Sequence, residues 1–289
     1  MRDYVFVTDS TCDLPKDIIK ELDIKVIPFS YSINDEPYHY YLDERDGDIK
    51  DFYDKLRDGA MPATSQVNPN MYKEFFEEIV KEGKDVFYVC FSSGLSGSFQ
   101  SARLGADMVT DKYEDARIEI IDSLCASLGE GVFVYHAAKH KKEGMDIDTL
   151  TNWALDNRLK VGHWFMVEDL YHLKRGGRVS AVEAAVGSAL KIKPILSVDE
   201  EGKLVVKSKA RGTGKALDYL VSKAVEEGKD MENTIFFVGN ADAMGKAEKL
   251  KNSLIEKGAK EENIIIVSIG PIIGAHVGAG MAAITFLAK

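Results

Sequence analysis

Residues 86–102 read VFYVCFSSGLSGSFQSA, and the order of residue types in this stretch points to an α/β fold. Val86 to Phe91 is an apolar run of β-branched and aromatic residues without helical spacing, the pattern of a strand buried on both faces of a parallel sheet. Ser92, Ser93, Gly94, Leu95, Ser96, Gly97 and Ser98 then break the run ahead of a helix predicted over residues 99–108. Hydroxyls and unpaired backbone N–H groups at a helix N-terminus favour a negatively charged ligand group, so this loop is a candidate oxyanion site. Turning and capping account for some of these residues equally well. Four serines and two glycines in seven residues exceed what one cap uses, and Ala63-Thr64-Ser65-Gln66 supplies a second hydroxyl cluster upstream.

Working outward, residues 4–7 form a comparable strand, followed by the polar loop Thr8-Asp9-Ser10-Thr11-Cys12-Asp13 and a helix opened by Pro15. Its loop should emerge at the same carboxyl edge of the sheet, where open α/β sheets carry ligands. Asp9 is expected to cap the helix or brace its loop. Residues 25–33 read as one strand, 34–37 as a turn and 38–42 as the returning strand. Helices are predicted over 48–56 and 69–82, with 64–66 as loop between them. A strand over 117–121 and helices over 128–143 and 147–159 complete the first half. A strand at 161–167 opens the second half, followed by Arg175-Gly176-Gly177-Arg178 and a small-residue helix over 180–190. A hairpin over 195–210, helices over 213–227 and 243–257, strands over 234–239 and 264–269, a Gly-rich segment 270–280 and a last strand 282–287 finish the chain.

A chain of 289 residues accommodates two α/β domains, placed here at residues 1–159 and 160–289. A net charge of −10 opposes general affinity for nucleic acid or anionic membrane. Cys12, Cys90 and Cys125 lack metal-ligand spacing, and their odd number suits free thiols in a reducing cytoplasm. No window is apolar enough to span a bilayer and no export signal opens the chain, so a cytoplasmic protein without integral membrane association is expected.

Several motif matches fail on chemistry. Gly278-Ala279-Gly280-Met281-Ala282-Ala283 has a dinucleotide fingerprint's spacing, but too little chain follows it for the remaining unit. Gly212-Thr213-Gly214-Lys215-Ala216 lacks the first glycine and the metal-binding hydroxyl of a phosphate loop. His136 and His140 are four apart, yet Ala137 stands where a zinc protease carries glutamate. Gly94-Leu95-Ser96-Gly97-Ser98 misses the second glycine of a nucleophile elbow, although a serine, Asp122 and His276 do fall in hydrolase order. A serine esterase acting on a small acyl substrate, with Ser96 or Ser93 as nucleophile, is therefore the alternative reading. His276 sits among glycines that let backbone approach a ligand closely, which makes its imidazole a candidate carboxylate donor.

Taken together, the chain resembles the DegV family of bacterial fatty-acid-binding proteins. The likeness rests on Thr8-Asp9-Ser10-Thr11-Cys12-Asp13-Leu14-Pro15, Thr64-Ser65-Gln66 and residues 92–98 in the first half. In the second it rests on Gly177-Arg178-Val179-Ser180, Lys193-Pro194-Ile195-Leu196 and Gly270-Pro271-Ile272-Ile273-Gly274-Ala275-His276. Val277 and Ala279 depart from the family's usual Thr and Pro. The resemblance implies a parallel-sheet N-terminal domain and a mixed-sheet C-terminal domain with a buried lipid site. It implies that Thr64 and Ser93 hold a carboxylate with help from His276; Ser65, Gly94 and Ser96 complete the expected ligand set.

It further implies a carrier rather than a catalyst. The fatty acid would be presented to a separate ATP-dependent fatty acid kinase subunit for conversion to acyl phosphate, with no metal or cofactor beyond the bound lipid. Lys174, Arg175 and Arg178 in one loop, and a basic stretch that includes Arg211, are candidate docking residues for that acidic or nucleotide-bearing partner.

Overall fold

Strand β1 (Tyr4–Asp9) leads through the Lys16–Glu21 helix into β2 (Ile24–Ile27), parallel to β1 with Phe6 opposite Ile24. This is the first unit of a computed structural model that describes residues 2–180, 191–228 and 230–288. From residue 181 on, the small-residue helix expected over 180–190 lies outside the described residues.

The run expected as one strand over 25–33 divides at Pro28, which has no N–H for a ladder. Its second part, β3 (Phe29–Ile33), belongs to a different sheet. β3 and β4 (Glu36–Tyr40) form a hairpin whose two loop residues, Asn34 and Asp35, both have positive φ, 52° and 67°. That is the backbone a type I′ turn requires, so the turn is shorter than the sequence suggests. Pro37 pairs within β4 instead, tolerated because β4 is an edge strand. The Ile49–Arg57 helix follows, and then β5 (Ala63–Ser65), where a loop was expected. β5 pairs antiparallel with β3, placing Thr64 opposite Tyr31.

After the Pro69–Lys81 helix, β6 (Asp85–Cys90) is buried along its whole length, as its unbroken apolar run requires. The Ser98–Thr110 helix and β7 (Ile118–Asp122) complete a parallel sheet of order β2-β1-β6-β7. The Leu128–Lys142 helix then packs against β1 on one side and the second sheet on the other.

Past the Ile147–Asn157 helix, that second sheet contains β8 (Val161–Met166), β9 (Ile192–Val198), β10 (Leu204–Arg211), β11 (Phe236–Asn240), β12 (Ile264–Ser268) and β13 (Ala282–Leu287). Its order is β10-β9-β8-β13-β11-β12, mixed because β11 and β12 run parallel while the other pairs are antiparallel. The parallel and mixed sheets implied by the resemblance are thus both present. Strand alternation divides the second sheet's side chains between two faces. Phe165, Phe237 and Ala283 join a core continuous with Phe6, Phe87 and Val132. Met166, Phe236 and Ile284 face the other way, under the Thr213–Gly228 and Met244–Glu256 helices. The first of these faces looks toward the carboxyl ends of the parallel strands, and the cavity lies there.

Candidate functional site

A cavity of about 320 Å³ is bounded by loops after β6 and β7, by β5, by the second sheet and by the Pro271–Val277 helix. Its walls are largely apolar, with Phe29, Phe91, Leu128, Phe165, Ile273 and Met281 among them. One group of polar residues, Thr64, Ser65, Gln66, Ser96, Arg178 and His276, also faces it.

His276 reaches this group from a helix where the sequence suggested only a Gly-rich segment. Pro271 occupies the first helical turn after Gly270, a position where its missing N–H costs nothing. Gly274 lets the helix press against Tyr53, whose hydroxyl would lie 2.6 Å from an added Cβ. At the same end of the helix, the Gly270 N–H donates to Asp13 Oδ1 (3.0 Å) and Tyr53 donates to the Ile269 carbonyl (2.9 Å). The helix is therefore fixed at its start, and His276 projects so that Nε2 lies 2.9 Å from Thr64 Oγ1. Burial, with the cations Arg178 and Arg175 and then His172, lowers its pKa to about 4. The imidazole is neutral at physiological pH. Its Nδ1 is buried and has no hydrogen-bond partner among the described residues.

Arg178 lies beside this pair and not on the outer surface expected for a docking residue. Nε donates to the Leu95 carbonyl (3.1 Å) and Nη1 to the Gly176 carbonyl (2.5 Å), which fixes the guanidinium at the cavity wall. Lys174, Arg175 and Arg211 are exposed. Arg175 Nη2 donates to the carbonyl of Ala275, the neighbour of His276, at 3.2 Å.

The serines of residues 92–98 take distinct positions. Ser92 is buried and donates to the Gly202 carbonyl (2.7 Å), joining its loop to the β9–β10 turn. Of the expected ligand set, Thr64, Ser65, Ser96 and His276 line the cavity and Ser93 and Gly94 do not. Asp122 Oδ1 accepts the Ser93 N–H at 3.1 Å, and Ser93 is exposed. Ser96 does line the cavity; its Oγ accepts from the Ser98 N–H (3.2 Å) and pairs with Ser98 Oγ (2.9 Å). The hydrolase order is not assembled into a relay. Asp122 Oδ1 is occupied by the backbone N–H groups of Ser93 and Leu124, and His276 Nε2 by Thr64. A nucleophilic serine needs its base oriented by a third group.

Behind the cavity, Asp9 acts as the brace expected of it, accepting from Tyr88 OH (2.9 Å) and the Phe91 N–H (3.1 Å). Thr11 Oγ1 lies 2.5 Å from Asp9 Oδ1 and 2.8 Å from Glu130 Oε2. A hydroxyl has one proton to give, so a carboxyl must supply the second. Burial pushes the pKa of both carboxyls up, and the Asp9 charge adds to the rise at Glu130. Asp13, raised by burial to about 7, accepts Ser127 Oγ–H at 2.7 Å.

A family model described as "Uncharacterised protein, DegV family" matches residues 4–289. The chain belongs to the DegV family. A DegV domain-containing protein of Clostridium perfringens is 41% identical over 289 residues, covering 99% of this chain and 98% of the relative. A DegV family protein from Thermus thermophilus, whose structure is described as showing fatty acid binding, is 28% identical with a TM-score of 0.87 over 100% of both chains. DegV of Bacillus subtilis, described as a fatty acid binding protein, is 29% identical with a TM-score of 0.86, again over 100% of both. Both of these solved DegV proteins are thus fatty-acid binders. Among the described residues of this member, no helix is long and apolar enough to cross a membrane.

Sequence reasoning did not assign Arg178, Gln66, Ser127, His163 or Thr285 to the cavity. Arg178 carried a signal, a basic residue in a motif shared with the family, but its direction depends on the Leu95 and Gly176 carbonyls. For His163 and Thr285 the only mark was a polar residue inside an apolar strand.

Proposed function

We propose that this protein is a fatty-acid carrier that buries an acyl chain in its cavity, with the carboxylate at Thr64, Ser65, Ser96, Arg178 and His276. The observation that carries the reading is a largely apolar cavity with hydroxyls, a neutral imidazole and a fixed guanidinium grouped on its wall. Each buried methylene contributes roughly 0.8 kcal/mol, so about fourteen supply on the order of 10 kcal/mol before ordering costs. A buried carboxylate needs charge-assisted hydrogen bonds to offset its lost hydration. Arg178 supplies charge and Thr64 and Ser96 supply hydroxyls. Neutral His276 can direct the Thr64 hydroxyl by accepting or donating at Nε2.

In this reading the carboxylate is then presented to a separate ATP-dependent fatty acid kinase subunit, which converts it to acyl phosphate. Exposed Lys174 and Arg175 support that step, because Arg175 is held at the carbonyl preceding His276 and so flanks the carboxylate end. Arg211 is a further exposed candidate for docking.

Native mass spectrometry of the protein as purified, followed by solvent extraction of any released molecule, tests the carrier. A stoichiometric long-chain fatty acid is expected. An empty protein that takes up no added palmitate, stearate or oleate overturns the reading. Incubation with ATP and fatty acid should yield acyl phosphate only when the kinase subunit is added; product without it would remove the partner step.

A further inference from the structure

The cavity wall carries a second polar patch, on different elements from the first. His163 on β8 and Thr285 on β13 stand directly opposite each other in the antiparallel register. Both line the cavity, as does Ser127 at the start of the Leu128–Lys142 helix. The next cavity-lining pair along the same two strands, Phe165 opposite Ala283, is apolar. The polar patch is therefore local, set into a wall that otherwise suits methylenes.

Its protons are already committed. Thr285 Oγ1 donates to the Leu128 carbonyl at 2.9 Å, and Ser127 Oγ donates to Asp13 at 2.7 Å. His163 is buried and neutral, its pKa lowered by burial to about 4. Its Nδ1 faces the Val161 carbonyl and its Nε2 the Ala126 N–H, each at 3.4 Å. A carbonyl only accepts and an N–H only donates, so the ring proton is on Nδ1 and Nε2 is an acceptor. Both contacts are longer than ordinary hydrogen bonds. The helix is cut back to admit this ring, since a Cβ on Gly129 would overlap it. The single lone pair of His163 Nε2 is turned to the Ala126 N–H and the helix backbone at Gly129. What the patch offers the cavity is lone pairs on two hydroxyl oxygens, those of Thr285 and Ser127. A hydrocarbon chain has nothing to give them, whereas a hydroxyl has one proton to donate.

We propose that the His163–Thr285–Ser127 patch is a subsite for a hydroxyl group on the acyl chain, so that the cavity accepts hydroxylated fatty acids of a particular positional class. This rests on the carrier reading above. With the carboxylate fixed at Thr64 and Arg178, one short segment of chain passes the patch. A hydroxyl on that segment donates to Thr285 Oγ1 or Ser127 Oγ, while the His163 ring forms the floor between them and the helix. Elsewhere the hydroxyl meets walls such as Phe165 and Ile273 and is left unpartnered, which weakens binding by about tenfold or more.

The test is competitive binding of stearate and a series of monohydroxystearates, with the hydroxyl moved along the chain, to the delipidated full-length protein. Stearate binding reports on the carrier reading by itself. One isomer, or two adjacent ones, should bind at least as tightly as stearate while the others fall about tenfold or more. Thr285→Val should weaken the matched isomer by about fivefold and spare stearate, and Thr285→Ser should restore the preference. If stearate binds but every isomer is weakened alike, the proposal fails; a water held permanently in the patch would give that result. A matched isomer that Thr285→Val leaves untouched overturns it as well. If neither stearate nor any isomer binds, the carrier reading itself falls and the subsite with it.

Discussion

Thr64 and His276 meet at 2.9 Å although 212 positions separate them in the chain. One is on an edge strand of the small three-stranded sheet and the other on a short helix before the last strand. Their pairing places a hydroxyl and an imidazole from opposite ends of the chain on one wall of an apolar cavity.

Thr64→Val and His276→Ala should each lower fatty-acid affinity by about tenfold, the scale of one lost hydrogen bond to a charged group. Because the two groups act as one network, the double variant should lose less than the product of the single effects. Titration calorimetry on delipidated protein measures this. Fully multiplicative losses would show that the two bind the ligand independently.

Arg178→Ala should reduce affinity by more than tenfold, since it removes the charge at the cavity wall and leaves a buried carboxylate without its counter-ion. Charge reversal at Lys174, Arg175 and Arg211 should leave lipid affinity within about twofold, because exposed charges contribute little at that distance. In the kinase-coupled assay the same reversal should slow turnover. Equal lipid-binding losses from both sets would contradict the separate positions of Arg178 and its neighbours.

Gly129→Ala places a methyl group against the His163 ring on a helix with little freedom to retreat. Overpacking of this kind costs about 1–3 kcal/mol, to be read from urea unfolding. In a His163→Ala background the same substitution should cost much less, because the obstructing ring is gone. An equal cost in both backgrounds would assign the glycine to another constraint.

His276 should make the protein acid-sensitive. Its folded-state pKa of about 4 lies below the ordinary 6.5, so between those values the unfolded chain binds the proton and the folded chain does not. Stability from keeping it neutral is complete above pH 6.5 and is lost as pH falls toward 4. Relative to His276→Asn, the wild type should lose roughly 2–3 kcal/mol between pH 7 and pH 4.5. Urea unfolding of both proteins at both pH values gives this double difference; no difference would show the imidazole to be solvated.

Much of the fold is legible without coordinates. The buried run of β6, the strand–loop–helix units and the β9–β10 hairpin follow from hydrophobic patterning and turn residues, which are local. Two departures were also readable in principle. Pro28 marks the division between β2 and β3, and Pro271 after Gly270 is a helix-start signal that the surrounding glycines conceal. β5 is different: a three-residue strand is too short to show periodicity, and it exists because β3 offers it a partner.

By itself, the sequence determined the α/β class, the hydroxyl-rich loops and the candidacy of Thr64, Ser96 and His276. Tertiary structure alone decided which serine faces the cavity, that Arg178 points inward while Arg175 does not, and that His163, Thr285 and Ser127 form one patch. The reason is physical. Strand and helix periodicity fixes side-chain direction within an element, whereas a loop residue takes its direction from the partners that its backbone and side chain find. Those partners, Asp122 for Ser93 and the Leu95 and Gly176 carbonyls for Arg178, are brought into place only when the chain has folded.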